Sequence, residues 1–209
     1  MNIIGLIPAR GGSKEIKDKN IFPLCGKPLI EYTIDVAERS HLDDWFVFTD
    51  KYFQYRTYNI PRPPQYSKGE YGSVLKWLRY AVEQYEKAKS HVDAVMILQP
   101  TSPLRSVNDI NNAIHLFMEA QIYDCQSLYS GYYMRIKEKQ KVDGKRVEPY
   151  FQRNGAIFIT RRDLVNKDKI WNQNPIEFVM PKIRSIDIDD TDDLIMAESI
   201  IKHGGILWN

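Results

Sequence analysis

The chain has 209 residues, of which 43% are hydrophobic, and its 29 Lys and Arg against 27 Asp and Glu leave a formal charge of +2. That length supports one sizeable core, and with no Pro, Gly or Ser-rich linker it predicts a single domain over residues 1–209. The near-neutral balance excludes strong general affinity for nucleic acid or membranes, so charge-driven binding has to be local.

Residues 2 to 7 are apolar and rich in β-branched side chains, which predicts a buried parallel strand stopped at Pro8. In the loop that follows, Gly11 and Gly12 let the backbone approach a ligand, and Arg10, Lys14, Lys17 and Lys19 suit a negative one. A phosphorylated ligand meets both conditions. PLIEYTIDVAERS then reads as an amphipathic helix, WFVFTD as a second strand, VLKWLRYAVEQYEKA as a helix and AVMILQPTSPLR as a strand stopped by proline. In SVNDINNAIHLFMEA, Ser106 is placed as an N-cap with Asp109 at capping-box spacing. From Ser127 to Arg153 the pattern alternates, with Arg135, Lys137, Lys139 and Lys141 at every second position and a turn at Asp143-Gly144. This predicts a β-hairpin extension at about 129–150. YFQRNGAIFIT returns to strand character, and TDDLIMAESIIKHGG is a helix ending at Gly204.

Alternating strand and helix patterns predict an α/β fold: a mainly parallel sheet with helices on both faces. Ligands of such sheets bind at the carboxyl ends of the strands. The exits PARGGSK, TD and QPTSPLR are therefore expected to line one crevice, the competing reading being ordinary βα turns. Cys25 and Cys125 belong to no CxxC or metal-ligand cluster and read as buried thiols of a reducing compartment. With no signal-peptide pattern and no apolar stretch of bilayer length, the expected location is the cytoplasm.

GGSK fits neither GxxxxGK[ST] nor GxGxxG, which removes the main support for a P-loop or a dinucleotide site. A glycine loop remains whose amides, with Lys14 and Lys19, are suited to a triphosphate, or else form a solvated basic turn. In IDIDD, Asp187 and Asp189 stand two apart on an apparent strand, so both carboxylates face one way and suit Mg2+, which takes one or two carboxylates plus water and phosphate oxygens. Asp190 reads instead as the N-cap of the last helix. Nucleotidyl transfer asks for in-line positioning and charge neutralisation, which Arg10, Lys14, Lys19 and a metal can supply. His41, His91, His115 and His203 read as structural or solvated.

Jointly and in order, IPARGGSKEIKDKNI, LQPTSPLR, YFQRNGAIFIT and SIDIDDTDD resemble the blocks of the cytidylyltransferases that make CMP-sialic acid and related CMP-linked acids. The resemblance implies a Rossmann-like nucleotide-diphospho-sugar transferase fold, use of CTP and Mg2+, and release of pyrophosphate. It implies catalytic roles for Arg10, Lys14 and Lys19, and nucleotide binding by Gly11, Gly12, Ser13, Asn20, Arg62 and Ser73. It places Gln99, Arg153 and Asn154 on the acceptor side and makes Asp187 and Asp189 the metal pair. Two departures bear on the acceptor. Only KYFQYRTYNI separates FTD from PRPP, where relatives have a longer helical segment and a further strand, and Tyr129 to Tyr150 is shorter than the arm that joins relatives into homodimers. Acceptor identity and homodimer formation stay open.

The compact form resembles a group from capsule phosphoramidate pathways that transfers CMP to L-glutamine phosphate, so the expectation narrowly favours a small acidic or phosphorylated acceptor. The alternatives are a CMP-nonulosonic acid synthetase, a nucleotide-binding module without catalysis, and RNA binding through the basic hairpin with Tyr129, Tyr132, Tyr133 and Tyr150 as stacking partners.

Overall fold

The computed structural model describes residues 1–13, 15–50, 58–67, 74–123, 126–134, 141–142, 145–146, 150–167, 169 and 171–204. In chain order these form β1 (Ile3–Ala9), β2 (Pro23–Leu24), β3 (Lys27–Pro28), α1 (Leu29–Glu38), β4 (Asp44–Thr49), β5 (Tyr58–Pro61), α2 (Val74–Ala88) and β6 (Ala94–Ile97). There follow α3 (Val107–Glu119), β7 (Ser127–Tyr133), β8 (Lys141–Val142), β9 (Lys145–Arg146), β10 (Phe151–Arg161), α4 (Arg162–Asn166), β11 (Ile176–Val179) and α5 (Thr191–His203).

The central sheet has seven strands in the order β11-β7-β10-β6-β1-β4-β5. All run parallel except β10, which is antiparallel to both neighbours, β6 and β7. Strand periodicity divides the apolar residues between two layers. On one face Ile3, Ile7, Val47, Met96 and Ile159 pack with Ile30 and Ile34 of α1 and Ile110, Ala113 and Phe117 of α3. On the other, Ile4, Leu6, Phe46, Phe48 and Val95 pack with Trp77, Leu78, Ala81, Val82 and Tyr85 of α2 and Val165 of α4. Each large apolar side chain buried this way contributes about 1.5–3 kcal/mol. The expected mainly parallel sheet with helices on both faces is thus present.

Local signals landed where the chemistry is short-range. The Ser106 side chain accepts from the Asp109 amide while the Asp109 carboxylate accepts from the Ser106 amide, the expected capping box. Asp190 caps α5 in the same reciprocal way with Asp193, and Gly204 is its C-cap. Four expectations change. The strand β5 is present at the sheet edge beside β4, although the short segment before PRPP had suggested its loss. At the opposite edge β11 pairs with β7, and nothing in the sequence had announced it. Residues Ser127–Tyr133 belong to the central sheet, so the extension narrows to the antiparallel pair β8 and β9. Asp143, Gly144, Arg135, Lys137, Lys139 and Cys125 lie outside the described residues. Finally, Cys25 is half-buried rather than buried, because it sits with φ 50° beside Gly26 at φ 80° in the two-residue turn joining β2 to β3. Among the described residues no helix is long and apolar enough to cross a membrane.

One glycine is required by close approach. A Cβ on Gly131 would lie 2.3 Å from the Gln152 carbonyl oxygen and 2.4 Å from the Phe151 ring, which fills the space beside Gly131. Gly131→Ala is therefore expected to lower stability by about 3 kcal/mol through backbone displacement between β7 and β10, measured by urea unfolding. A change below 0.5 kcal/mol, roughly the scale of an ordinary surface substitution, would show that the pair separates without cost.

Candidate active site

Parallel strands place their exits at one edge, and there a cleft of about 420 Å³ opens, lined by Arg10 and Ser13 after β1, Arg62 after β5, and Gln99, Pro100 and Thr101 after β6. Lys19, Asn20, Tyr66, Ser67, Trp77, Asp187 and Asp189 complete the wall. The structure therefore brings together eight residues expected from sequence: Arg10, Ser13, Lys19, Asn20, Arg62, Gln99, Asp187 and Asp189. Lys14 and Ser73 lie outside the described residues. Gly12 has φ 70°, as a glycine turn requires. Gly11 differs from expectation, since its amide donates to Asp50 Oδ1 at 2.7 Å and is spent mooring the loop to the end of β4. Asn20 does similar work by donating from Nδ2 to the Arg10 carbonyl at 2.9 Å.

The acidic segment departs from its expected form: residues 185–189 are not a strand. Instead Ile188 is held by both its backbone polar groups. Its amide donates to the Thr101 carbonyl at 2.8 Å, and its carbonyl accepts from Lys19 Nζ at 2.8 Å. Lys19 Nζ also reaches the Asp189 carbonyl and Oδ1, both at 3.2 Å, with only 12% of its side chain exposed. An ammonium with three donors so engaged positions the acidic segment across the cleft. Burial of Ile188 turns Asp187 and Asp189 to the cleft on either side of it. Asp187 Oδ1 is buried without a hydrogen-bond partner. Burial raises the Asp187 pKa; the Thr101 hydroxyl opposes this, and the charge of Asp189 adds to it. The charge of Lys19 opposes the rise as well.

At the opposite end of the cleft Arg62 is buried, donating through Nε and Nη2 to the Tyr66 carbonyl and lying over the rings of Phe48 and Trp77 at 5.3 and 5.4 Å. Burial pushes its pKa down, while Asp50 opposes. Next to it the Ser67 Oγ is buried with no hydrogen-bond partner, a polar atom on the wall that the sequence reading overlooked.

Because β10 runs against its neighbours, its amino-terminal end reaches the same edge as the other strands' carboxyl ends. A second cavity of about 240 Å³ lies there, sharing Pro8, Trp77 and Gln99 with the first and adding Tyr129, Arg153, Gly155 and Trp171. Gly155 has φ 69°, and a Cβ there would meet Gln99 Oε1 at 3.2 Å and Asp187 Oδ2 at 3.3 Å, so glycine keeps the two cavities' walls together. Asn154 does not reach either cavity. It is buried, with Oδ1 accepting from Ser130 Oγ at 2.6 Å and the Ala156 amide at 3.1 Å, and Nδ2 donating to Ser185 Oγ at 2.8 Å. Its expected acceptor contact is replaced by a bracing role, since a buried amide must satisfy its own polar atoms.

Arg105 is a second residue missed from sequence. Fully buried, it donates to the Thr33 hydroxyl at 2.9 Å and to the Gln99 and Ala156 carbonyls, which fixes the backbone beside both cavities. Burial lowers its pKa and Asp109 opposes. Asp109 in turn takes Arg184 through two bonds of 2.8 and 2.9 Å, anchoring the chain just before the acidic segment. The signal for this bracing was the capping motif itself, which carried no hint of an arginine partner.

Lys19→Met keeps the stem and removes the ammonium. It is expected to speed hydrogen exchange of the Ile188 amide and to cost about 1.5–3 kcal/mol of stability, the scale of hydrogen bonds to a charged donor. Unchanged exchange at Ile188 would mean that Lys19 does not hold the segment.

With this geometry in view, the comparisons with known proteins are specific. A family model described as Cytidylyltransferase matches residues 4–178. The N-acylneuraminate cytidylyltransferase of Escherichia coli O18:K1:H7 is 28% identical over 222 residues, covering 95% of this chain but 52% of the relative, so the chain spans about half the length of that protein. The pseudaminic acid cytidylyltransferase of Campylobacter jejuni subsp. jejuni serotype O:23/36 is 27% identical over 225 residues, covering 97% of both. A structure of CMP:2-keto-3-deoxy-manno-octonic acid synthetase complexed with CTP superposes with a TM-score of 0.72 at 13% identity, covering 98% of this chain and 100% of that one, which speaks to the fold alone. The chain belongs to the cytidylyltransferase family.

Proposed function

We propose that the chain transfers CMP from CTP to an acidic acceptor and releases pyrophosphate. The observation that carries this reading is the single cleft uniting Arg10, Lys19 and Arg62 with the carboxylates of Asp187 and Asp189. Arg10, with Lys14 beside it in sequence, neutralises charge on the triphosphate, while Lys19 keeps the acidic segment in place. Arg62 and Ser67 stand at the base end, one as a fixed donor and the other as an unsatisfied hydroxyl. An acceptor oxygen attacks the α-phosphorus as the bond to pyrophosphate breaks, and in-line placement supplies much of the rate.

Asp187 and Asp189 would hold Mg2+. The fit rests on two carboxylates at one cleft and on the buried, unpartnered Oδ1 of Asp187, a hard oxygen donor set. When bound, Mg2+ would draw charge from the phosphate oxygens as pyrophosphate leaves.

A nonulosonic acid is the acceptor we favour. The names of the relatives from E. coli and C. jejuni support it, and the presence of β5 weakens the earlier argument from a shortened chain. A small phosphorylated acceptor such as L-glutamine phosphate keeps one observation in its favour: the cavity of about 240 Å³ beside Arg153 is below the usual range of about 300–1,000 Å³ for ligand pockets. Either product would serve cell-surface polysaccharide synthesis from the cytoplasm.

The test is pyrophosphate release with each of the four nucleoside triphosphates and Mg2+ over sialic, legionaminic and pseudaminic acids, 3-deoxy-octulosonate and L-glutamine phosphate. We expect CTP preference, no turnover in excess EDTA, and highest kcat/KM for a nine-carbon acid. Equal use of ATP would overturn the nucleotide reading, and turnover confined to L-glutamine phosphate would overturn the favoured acceptor.

A further inference from the structure

The cavity beside the cleft contains a cation prepared for a ligand. The Arg153 guanidinium lies 5.1 Å from the ring centre of Tyr129 and 5.1 Å from that of Trp171, and among the described residues its nitrogens make no hydrogen bond or ion pair. Both distances fall within cation–π range. An arginine normally gives up considerable rotamer freedom to hold one geometry, and two aromatic faces prepay that loss while leaving the N–H edge open.

The clamp is itself built. Tyr129 on β7 is cross-strand partner of Glu177 on β11 and of Phe158 on β10. Its hydroxyl donates to Glu177 Oε1 at 3.3 Å, and Tyr133 donates to Oε2 at 2.8 Å. The carboxylate beside the clamp is thereby occupied by two phenols, and among the described residues no carboxylate pairs with Arg153. On the other side Trp171 packs edge-on against Phe158 at 5.3 Å. Arg153 stands opposite Gly131, which has no side chain, and the β7 residue that meets its guanidinium is Tyr129.

We propose that Tyr129 and Trp171 are positioning residues that hold Arg153 to receive an oxyanion of the acceptor through two parallel N–H···O bonds. This deepens the function proposed above and rests on it for the identity of the ligand as acceptor. The shared chemistry is a carboxylate or phosphate presented edge-on to the guanidinium. Without the clamp, Arg153 would still carry its charge but would sample many rotamers, so the loss falls on acceptor affinity and leaves CTP binding alone.

Two measurements on the full chain separate the clamp from the activity. In the first, the Arg153 Nε–Hε resonance is followed by NMR in wild type, Trp171→Ala and Trp171→Phe while sodium pyruvate or inorganic phosphate is titrated in. We expect a sharp signal in wild type that shifts with one of the two anions, broadening and about tenfold weaker binding in Trp171→Ala, and recovery in Trp171→Phe, which keeps an aromatic face. The anion that shifts it identifies carboxylate or phosphate as the recognised group. Identical titrations in wild type and Trp171→Ala, or no response of Arg153 to either anion, would overturn the proposal. In the second, steady-state kinetics of Trp171→Ala should show a raised acceptor KM with CTP KM unchanged, and an equal rise in both would overturn the clamp. Absence of any CTP-dependent turnover by wild type would sink the proposed function, while the NMR result would stand on its own.

Discussion

The site depends on the backbone of one residue. Ile188 is held by the Thr101 carbonyl on its amide side and the Lys19 ammonium on its carbonyl side, and those two partners come from the exits of β6 and β1. A segment with no ladder of its own is thus fastened across two adjacent parallel strands. Its flanking carboxylates face the cleft because the residue between them is buried. Lys19, which a phosphate-loop reading would assign to the nucleotide, ties this segment down, and one oxygen of Asp187, Oδ1, is left buried without a hydrogen-bond partner.

The second organising constraint is the reversal of β10. In a wholly parallel sheet the Arg153–Gly155 stretch of β10 would have emerged at the far edge. Running against β6 and β7, it meets Gln99 and Asp187 closely enough that only a residue without Cβ fits comfortably at Gly155. Two cavities then share one wall, so under the proposed function a group held at Arg153 would lie next to a nucleotide held at Arg10 and Arg62. Buried braces keep this arrangement from spreading: Asn154 ties Ser130 to Ser185, and Arg105 ties Thr33 to the carbonyl of Ala156. Transfer chemistry that relies on positioning needs that kind of rigidity.

What could be read in the sequence was what local physics encodes. Apolar spacing at Trp77, Leu78, Ala81, Val82 and Tyr85 announces α2, and Ser106 with Asp109 announces the start of α3, because both signals act within a few residues. The convergence of Arg10 and Gln99 followed from parallel strands opening at their carboxyl ends, and that of Arg62 and Asp187 was implied by the family resemblance. Short edge strands were not, since the four residues of β5 and of β11 carry too little periodicity to stand out. Nor were the partners of buried polar groups. Whether Asn154 faces a ligand or Ser185, and whether Lys19 meets phosphate or Ile188, is decided by residues distant in the chain. Trp171 sits in a stretch with no pattern at all, and only the packing against Phe158 and Arg153 gives it meaning.

The central claim is that Asp187, pinned beside Ile188, supplies the carboxylate that joins a divalent ion and CTP to the protein. It is tested most directly by titrating Mn2+·CTP with protein and following water-proton relaxation, in wild type and in Asp187→Asn, with far-UV circular dichroism to establish that both are folded. The account requires a saturable relaxation enhancement in wild type and at least about tenfold weaker binding of Mn2+·CTP in Asp187→Asn, since removing even an outer-shell partner of a metal ligand costs about that much. Superimposable titrations for two folded proteins would contradict it.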